Sequence, residues 1–121
     1  MKSQTTAQRA LAEDFAERIE GIGVVSLHRF FAGTGLRAEG VQFGFVMKGV
    51  LYLRTDKANR ANFLARGCPP FRYSGASGPV TVAAYYEAPS EILDDSEGLS
   101  AWAADALRAA RSAHGGRRAW A

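Results

Sequence analysis

The chain has 121 residues, one Cys and a net charge of +3, with 47% hydrophobic and 22% charged residues. That length suits a single domain, and the composition excludes a disordered chain. A single Cys excludes an intrachain disulfide scaffold, and no apolar run reaches the ~18 residues of a membrane helix.

Met1-Lys2-Ser3-Gln4 has no apolar core behind the Lys, so it does not read as a signal peptide and the cytoplasm is the expected location. Residues 1–105 carry 11 Lys and Arg against 12 Asp and Glu, a balance of −1. Arg108, Arg111, Arg117 and Arg118 then make a basic end without an acid. The basic character therefore belongs to the end of the chain, not to a face of the fold.

Thr5 and Gln8 fit a capping box. Leu11, Phe15, Ile19 and Ile22 recur at helical spacing and predict a helix over 6–20, ended by Gly21 and Gly23. Val24 to Phe31 reads as a strand, stopped by a glycine turn at residues 32–35. Short strands follow at 36–38 and 50–54, with a longer one at 41–48 between them. Alternation over 41–48 places Val41, Phe43, Phe45 and Met47 on one face and Gln42, Gly44, Val46 and Lys48 on the other. Glu39-Gly40 and Gly49 mark tight turns, so these strands pair antiparallel.

Asp56 suits the N-cap of a helix over 57–66. Phe71 to Tyr73 and Val80 to Glu87 are two strands flanking a flexible loop at 74–79. Tyr85 and Tyr86 take opposite faces, and Pro89 ends the strand. One helical turn at 90–93 leads to a helix over 96–112, on which Leu99, Trp102, Ala103, Ala106 and Leu107 share a stripe. Gly115-Gly116 then separates a flexible basic tail, residues 113–121, from the domain, residues 1–112. Strands in runs, with few helices between them, predict an α+β fold: helices on one antiparallel sheet in a two-layer arrangement, in the order α, three or four strands, α, two strands, α.

The chemistry-bearing residues are sparse. Gly33-Thr34-Gly35 lacks the third glycine and the following helix of a dinucleotide loop, and it reads as a turn needing positive φ. His28, His114 and Cys68 have no metal-ligand spacing. His28 reads as a sheet residue, and Cys68, after a helix C-terminus, as an inert thiol. Asp94 and Asp95 read as capping groups. No enzyme activity, cofactor or metal is expected from these residues.

Arg29-Phe30-Phe31-Ala32-Gly33-Thr34-Gly35-Leu36, Gly49-Val50-Leu51-Tyr52-Leu53, Asp56 with Asn59-Arg60 and Phe63, then Phe71 and Tyr73, Tyr85-Tyr86-Glu87-Ala88-Pro89, and Leu99 to Ala103 follow one another in a distinctive order. In that order of motifs the chain resembles the N-terminal domain of the TfoX/Sxy family. The match runs from about residue 10 to residue 111; Ala32 stands where the family usually has Gly. The family-motif residues of unassigned role are Arg29, Gly33, Gly35, Gly49, Tyr52, Asn59, Tyr85, Tyr86, Pro89 and Trp102.

The resemblance implies a fold similar to type III secretion chaperones and no enzyme activity. It also implies a link to transcriptional activation of DNA-uptake competence genes alongside the cyclic-AMP receptor protein. The best-studied members carry a C-terminal helical domain after this one, and the resemblance implies only the N-terminal domain here.

Three expectations follow. The chain is a regulatory module whose partner is a protein, plausibly transcription machinery. It does not bind a DNA sequence by itself, and it forms a homodimer through an apolar sheet face that its helices leave uncovered. The rival reading is a small-molecule site in a cleft near Arg29, Tyr52 and Tyr86.

Overall fold

The computed structural model describes residues 2–120, with side chains from residue 7 to residue 113. In chain order the elements are α1 (Lys2–Arg18), β1 (Val25–Phe30), β2 (Gly33–Ala38), β3 (Val41–Met47), β4 (Val50–Arg54), α2 (Arg60–Ala65), β5 (Pro70–Gly75), β6 (Gly78–Glu87), α3 (Ser90–Leu93) and α4 (Ser96–Trp120). The strands form one open antiparallel sheet in the order β1-β2-β3-β4-β6-β5. The fold is therefore the expected α+β arrangement, helices on an antiparallel sheet.

Two-residue turns set this topology. Glu39 and Gly40 have φ of 53° and 77°, and Lys48 and Gly49 have 52° and 80°. Positive φ at both central residues suits a hairpin, because it matches the right-handed twist of the strands. β1 to β4 thus form a meander, and the β5–β6 hairpin returns so that β6 lies beside β4.

The first glycine pair behaves differently from its sequence reading. Gly33 and Gly35 lie within β2, and neither has positive φ. The turn between β1 and β2 is Phe31-Ala32, and its positive φ, 50°, falls on Phe31. What Gly33 and Gly35 supply is close approach. A Cβ on Gly33 would clash with the Val46 carbonyl oxygen. A Cβ on Gly35 would stand 2.5 Å from His28 Cε1 and 2.7 Å from Gln42 Oε1.

Simple alternation also fails along β3. The ladder with β2 shifts register between Leu36 and Arg37, which pair with Gly44 and Gln42. Phe43 is the extra residue, and a bulge re-aims the side chains beyond it. Phe43 and Val46 enter the helix-side core, while Phe45 packs against Phe30, Tyr52 and Tyr85 on the opposite face. The expected grouping of Phe43 with Phe45 is corrected by that bulge.

Helices cover one face of the sheet. Phe15 and Ile19 of the α1 segment, Phe63 of α2, and Leu99, Ala103 and Ala106 of α4 bury against Leu36, Phe43, Leu51 and Leu53. Each large side chain there contributes about 1.5–3 kcal/mol. The small Ala side chains let α4 lie close to the strands.

Three local expectations also change. α1 begins at Lys2, and Gln8 Oε1 accepts from the Lys48 backbone N–H at 2.8 Å instead of closing a capping box; the Thr5 side chain lies outside the described residues. The loop expected at 74–79 is a tight turn, because β5 and β6 reach Gly75 and Gly78. α4 continues past residue 112 to Trp120 through Gly115-Gly116. Glycine costs a helix about 1 kcal/mol and does not forbid it. The rest of the tail expectation falls, from residue 114, on side chains outside the described residues.

Candidate functional site

The face of the sheet away from the helices carries a cluster of aromatic side chains. Phe45 of β3 is fully buried at its centre. Its ring centroid lies 4.7 Å from Phe30, 5.1 Å from Tyr52, 5.0 Å from Phe71 and 5.0 Å from Tyr85. Residues from β1, β4, β5 and β6 thus meet on one residue of β3. Cross-strand register explains it: Phe45 pairs with Gly35 on one side and Tyr52 on the other. Gly35 leaves room where another residue would stand.

Among the described residues no helix covers the centre of this cluster, and only Ala110 and Ala113 of α4 come near its Tyr85 edge, so it shapes a shallow groove. One hollow of 460 Å³ is lined by Phe30, Phe31, Phe45 and Tyr85 among others. A second of 470 Å³ adjoins it and shares Met47, Lys48, Phe71 and Tyr73. Phe31 and Tyr73 stand at the rim, 82% and 49% exposed. Phe31 combines this exposure with left-handed backbone, which a bulky residue adopts at a cost of about 1–3 kcal/mol. Such strain on an exposed aromatic marks a candidate contact residue.

A polar chain crosses the same face. His28 Nε2 lies 2.7 Å from Gln42 Oε1, and Gln42 Nε2 donates to the Tyr85 hydroxyl at 3.2 Å. Arg54 lies over the Tyr85 ring, 5.6 Å from its centroid. With Nε2 donating to Gln42, His28 Nδ1 is left as a buried acceptor without a partner. Burial pushes the His28 imidazole down, the Gln42 hydrogen bond opposes this, and Arg37 adds to it. Burial, and then the Glu87 carboxylate, push the Tyr52 hydroxyl up.

The family-motif residues divide between several places. Tyr52 and Tyr85 join the aromatic face. Tyr86 turns to the helix side, 5.8 Å from Phe63, so the two tyrosines do take opposite faces. Gly49 closes the β3–β4 turn, and Pro89, fully buried, precedes α3. Trp102 meets Phe63 edge-on at 4.9 Å and lies under Arg66 at 5.0 Å. Arg29 is exposed on β1, in register with Thr34. The cleft proposed near Arg29, Tyr52 and Tyr86 does not form, because Tyr52 and Tyr86 lie on opposite sides of the sheet.

Asn59 holds a separate structural centre. It is 3% exposed, and its Nδ2 donates to Asp105 Oδ2 at 2.9 Å. Arg108 bridges back, donating to Asp105 Oδ1 at 2.9 Å and to Asp56 Oδ2 at 2.9 Å. The Arg108 guanidinium holds the Asp56 carboxyl below its usual range, helped by the Asn59 and Ala58 backbone N–H groups against a smaller opposing effect of burial. Arg111 pairs with Glu39. Arg108 and Arg111 therefore belong to the folded domain and not to a free basic tail.

Cys68 is buried, and burial raises its thiol pKa. Among the described residues no group of three or more His, Cys, Asp and Glu could hold a metal ion. No helix among them is long and apolar enough to cross a membrane.

The sequence alone does not single out Phe30, Phe31, Phe45 and Phe71 as a site. The signal was present as β-strand aromatics, but their common face depends on the β3 bulge and on β6 lying between β4 and β5.

Comparison with curated proteins gives no match. The profile of the TfoX N-terminal domain matches residues 17–110. The match spans both layers of the fold, from the end of α1 through the whole sheet to Ala110 of α4, and the chain belongs to the TfoX N-terminal domain family.

Proposed function

We propose that the chain is a non-catalytic regulatory module that works by protein contact, and that its contact surface is the uncovered aromatic face. The observation that carries this reading is a fully buried Phe45 and an exposed, backbone-strained Phe31 lining one hollow on a face whose centre no helix covers among the described residues. Apolar patches rimmed by polar groups mark interaction sites on soluble proteins. Membership of the TfoX N-terminal family supports a role in transcription of DNA-uptake genes in the cytoplasm, exerted through transcription machinery.

The test is a photo-crosslinking residue placed at Tyr73 in cells, with a control at Glu13 on α1. Capture of a transcription component at Tyr73 alone, with reduced competence transcripts in a Tyr73→Ala strain, is the expected result. Equal capture at both positions, or unchanged transcripts, counts against the reading.

A small apolar ligand is the second reading, favoured by the size of the 460 Å³ hollow. A thermal-shift screen separates the two. A ligand at 100 times its Kd stabilises by about 2.7 kcal/mol.

A further inference from the structure

We propose that the aromatic groove receives an acidic, apolar-rich segment of another protein, with apolar side chains in the two hollows and carboxylates on Lys48 and Arg72. This rests on the reading of the face as a docking surface and adds the chemistry of its occupant.

The inference comes from the charges at the groove. The two hollows adjoin along Met47, Lys48, Phe71 and Tyr73. Lys48 lines both, and Arg72 lines the second. These are the charged residues of the lining, and both are cations. Both are exposed, and neither has a salt-bridge partner among the described residues. Arg9, Arg18, Arg66, Arg108 and Arg111 are each paired within the chain, whereas Arg29, Arg37, Arg54, Lys57 and Arg60 have no salt bridge among the described residues either, so what sets Lys48 and Arg72 apart is their place on the groove. The groove thus offers an apolar floor with two exposed cations on its rim, while the half-buried Glu87 carboxylate acts on Tyr52 at the far edge of the second hollow; the surface complementary to the Lys48 and Arg72 side is apolar and negative.

A second copy of this chain fits less well. Face to face, it would bring another Lys48 and Arg72 over the same groove, and like charges disfavour that contact. Single-stranded nucleic acid also fits less well. Bases stack on exposed ring faces, whereas Phe71 and Tyr85 meet Phe45 edge-on at 84° and 64°, and the stacked pairs, Phe45 with Tyr52 at 26° and Phe71 with Tyr73 at 27°, already cover one face of each of their rings. Phe45 and Tyr85 are also buried.

Fluorescence anisotropy with the full chain tests the proposal. The probes are fluorescein-labelled peptides of about ten residues. The first carries two phenylalanines two residues apart among glutamates. The second has lysines for the glutamates, and the third alanines for the phenylalanines. A thymidine strand of about ten nucleotides is the fourth probe. The first should bind at least about tenfold tighter than each of the others. Lys48→Glu with Arg72→Glu should weaken it by about tenfold or more, and added salt should weaken it too. Lys57→Glu, exposed and outside the groove, should leave it unchanged.

Equal binding of the lysine peptide, or tighter binding of the nucleic acid, overturns the proposal. So does a dimer by light scattering that masks the groove and persists in Lys48→Glu/Arg72→Glu. If no probe binds while the Tyr73 crosslinker still captures a partner, the acidic chemistry fails and the docking reading stands. If the crosslinker is silent as well, both fail.

Discussion

Asp56 and Asn59 cap each other. Asp56 Oδ1 accepts from the Asn59 backbone N–H at 3.0 Å, and Asn59 Oδ1 accepts from the Asp56 backbone N–H at 2.8 Å. This reciprocal pair opens the turn into α2, as a capping box does with a longer N3 side chain. The Asn59 amide has a second task, because its donors tie Arg54 O and Asp105 to the same point. Asn59→Ala leaves the part-buried Asp56 N–H and Asp105 Oδ2 each short of a partner, although Asp105 keeps Arg108. The expected loss is about 2–3 kcal/mol, read as the shift of a urea unfolding midpoint at unchanged slope. A shift below about 0.5 kcal/mol would show that water replaces the amide.

Two groups give the stability a pH dependence, in separate windows. His28 has its folded-state pKa below the ordinary 6.5. The unfolded chain therefore takes up a proton at His28 more readily than the folded one. The contribution of neutral His28 is present above about pH 6.5 and is lost as pH falls through that value. Asp56 is also depressed, from 3.8. Its contribution is present above pH 3.8 and is lost only as pH falls toward the folded-state value. Unfolding midpoints of the wild type and His28→Gln across pH 5 to 8 should converge at the acid end. Parallel curves would mean that His28 titrates alike in both states.

The ordered elements were legible in the sequence, and their facing was legible only in part. Leu11 and Phe15 on α1, with Ile19 just beyond its end, and Leu99, Ala103 and Ala106 on α4 repeat at helical spacing, and that spacing survives in the core. Tyr85 and Tyr86 diverge as alternation requires. Alternation failed at Phe43, because a bulge depends on the neighbouring strand and leaves no local mark. Gly33 and Gly35 were misread because a glycine placed for close approach looks, in sequence, like one placed for a turn. Arg108 read as part of a basic end because its partner Asp56 lies 52 positions away.

The two glycines make a paired test. Gly33→Ala directs a Cβ at backbone, the Val46 carbonyl, which cannot swing aside. Gly35→Ala directs one at the His28 ring, which can. Gly33→Ala should cost about 2–3 kcal/mol, and Gly35→Ala about 1 kcal/mol. The part of the Gly35→Ala cost that comes from the His28 ring should vanish in a His28→Ala background, while the contact with Gln42 Oε1 at 2.7 Å stays. Additive losses in the double variant would place the strain elsewhere.

DNA binding by the chain alone should be weak and indifferent to sequence. Arg108 is held by Asp56 and Asp105, and Arg111 by Glu39. Of the four arginines in the basic end, Arg117 and Arg118 remain for phosphates. The basic end should then contribute no more than about −2 to the slope of log affinity against log salt. Filter binding to a promoter and a scrambled duplex checks both points. A promoter preference above ~100-fold would show that the folded body reads bases.

The sharpest separation of stability from function is at Phe31. Its backbone sits at φ 50°, where glycine or asparagine is at ease and phenylalanine is not. Its ring gains one edge-on contact with Phe30 at 4.7 Å and is otherwise 82% exposed. That contact contributes about 0.5–1.5 kcal/mol, close to what relief of the backbone would return. Phe31→Asn should therefore melt within a few degrees of the wild type. A residue retained at that position for the fold alone would have no such neutral exchange. Binding through the groove should fall by about tenfold, as for loss of a rim aromatic at an interface. The check is one melting curve and one anisotropy titration with the acidic phenylalanine peptide, on the same preparation. A variant that loses stability and keeps binding would reverse the assignment and make Phe31 a residue of the fold.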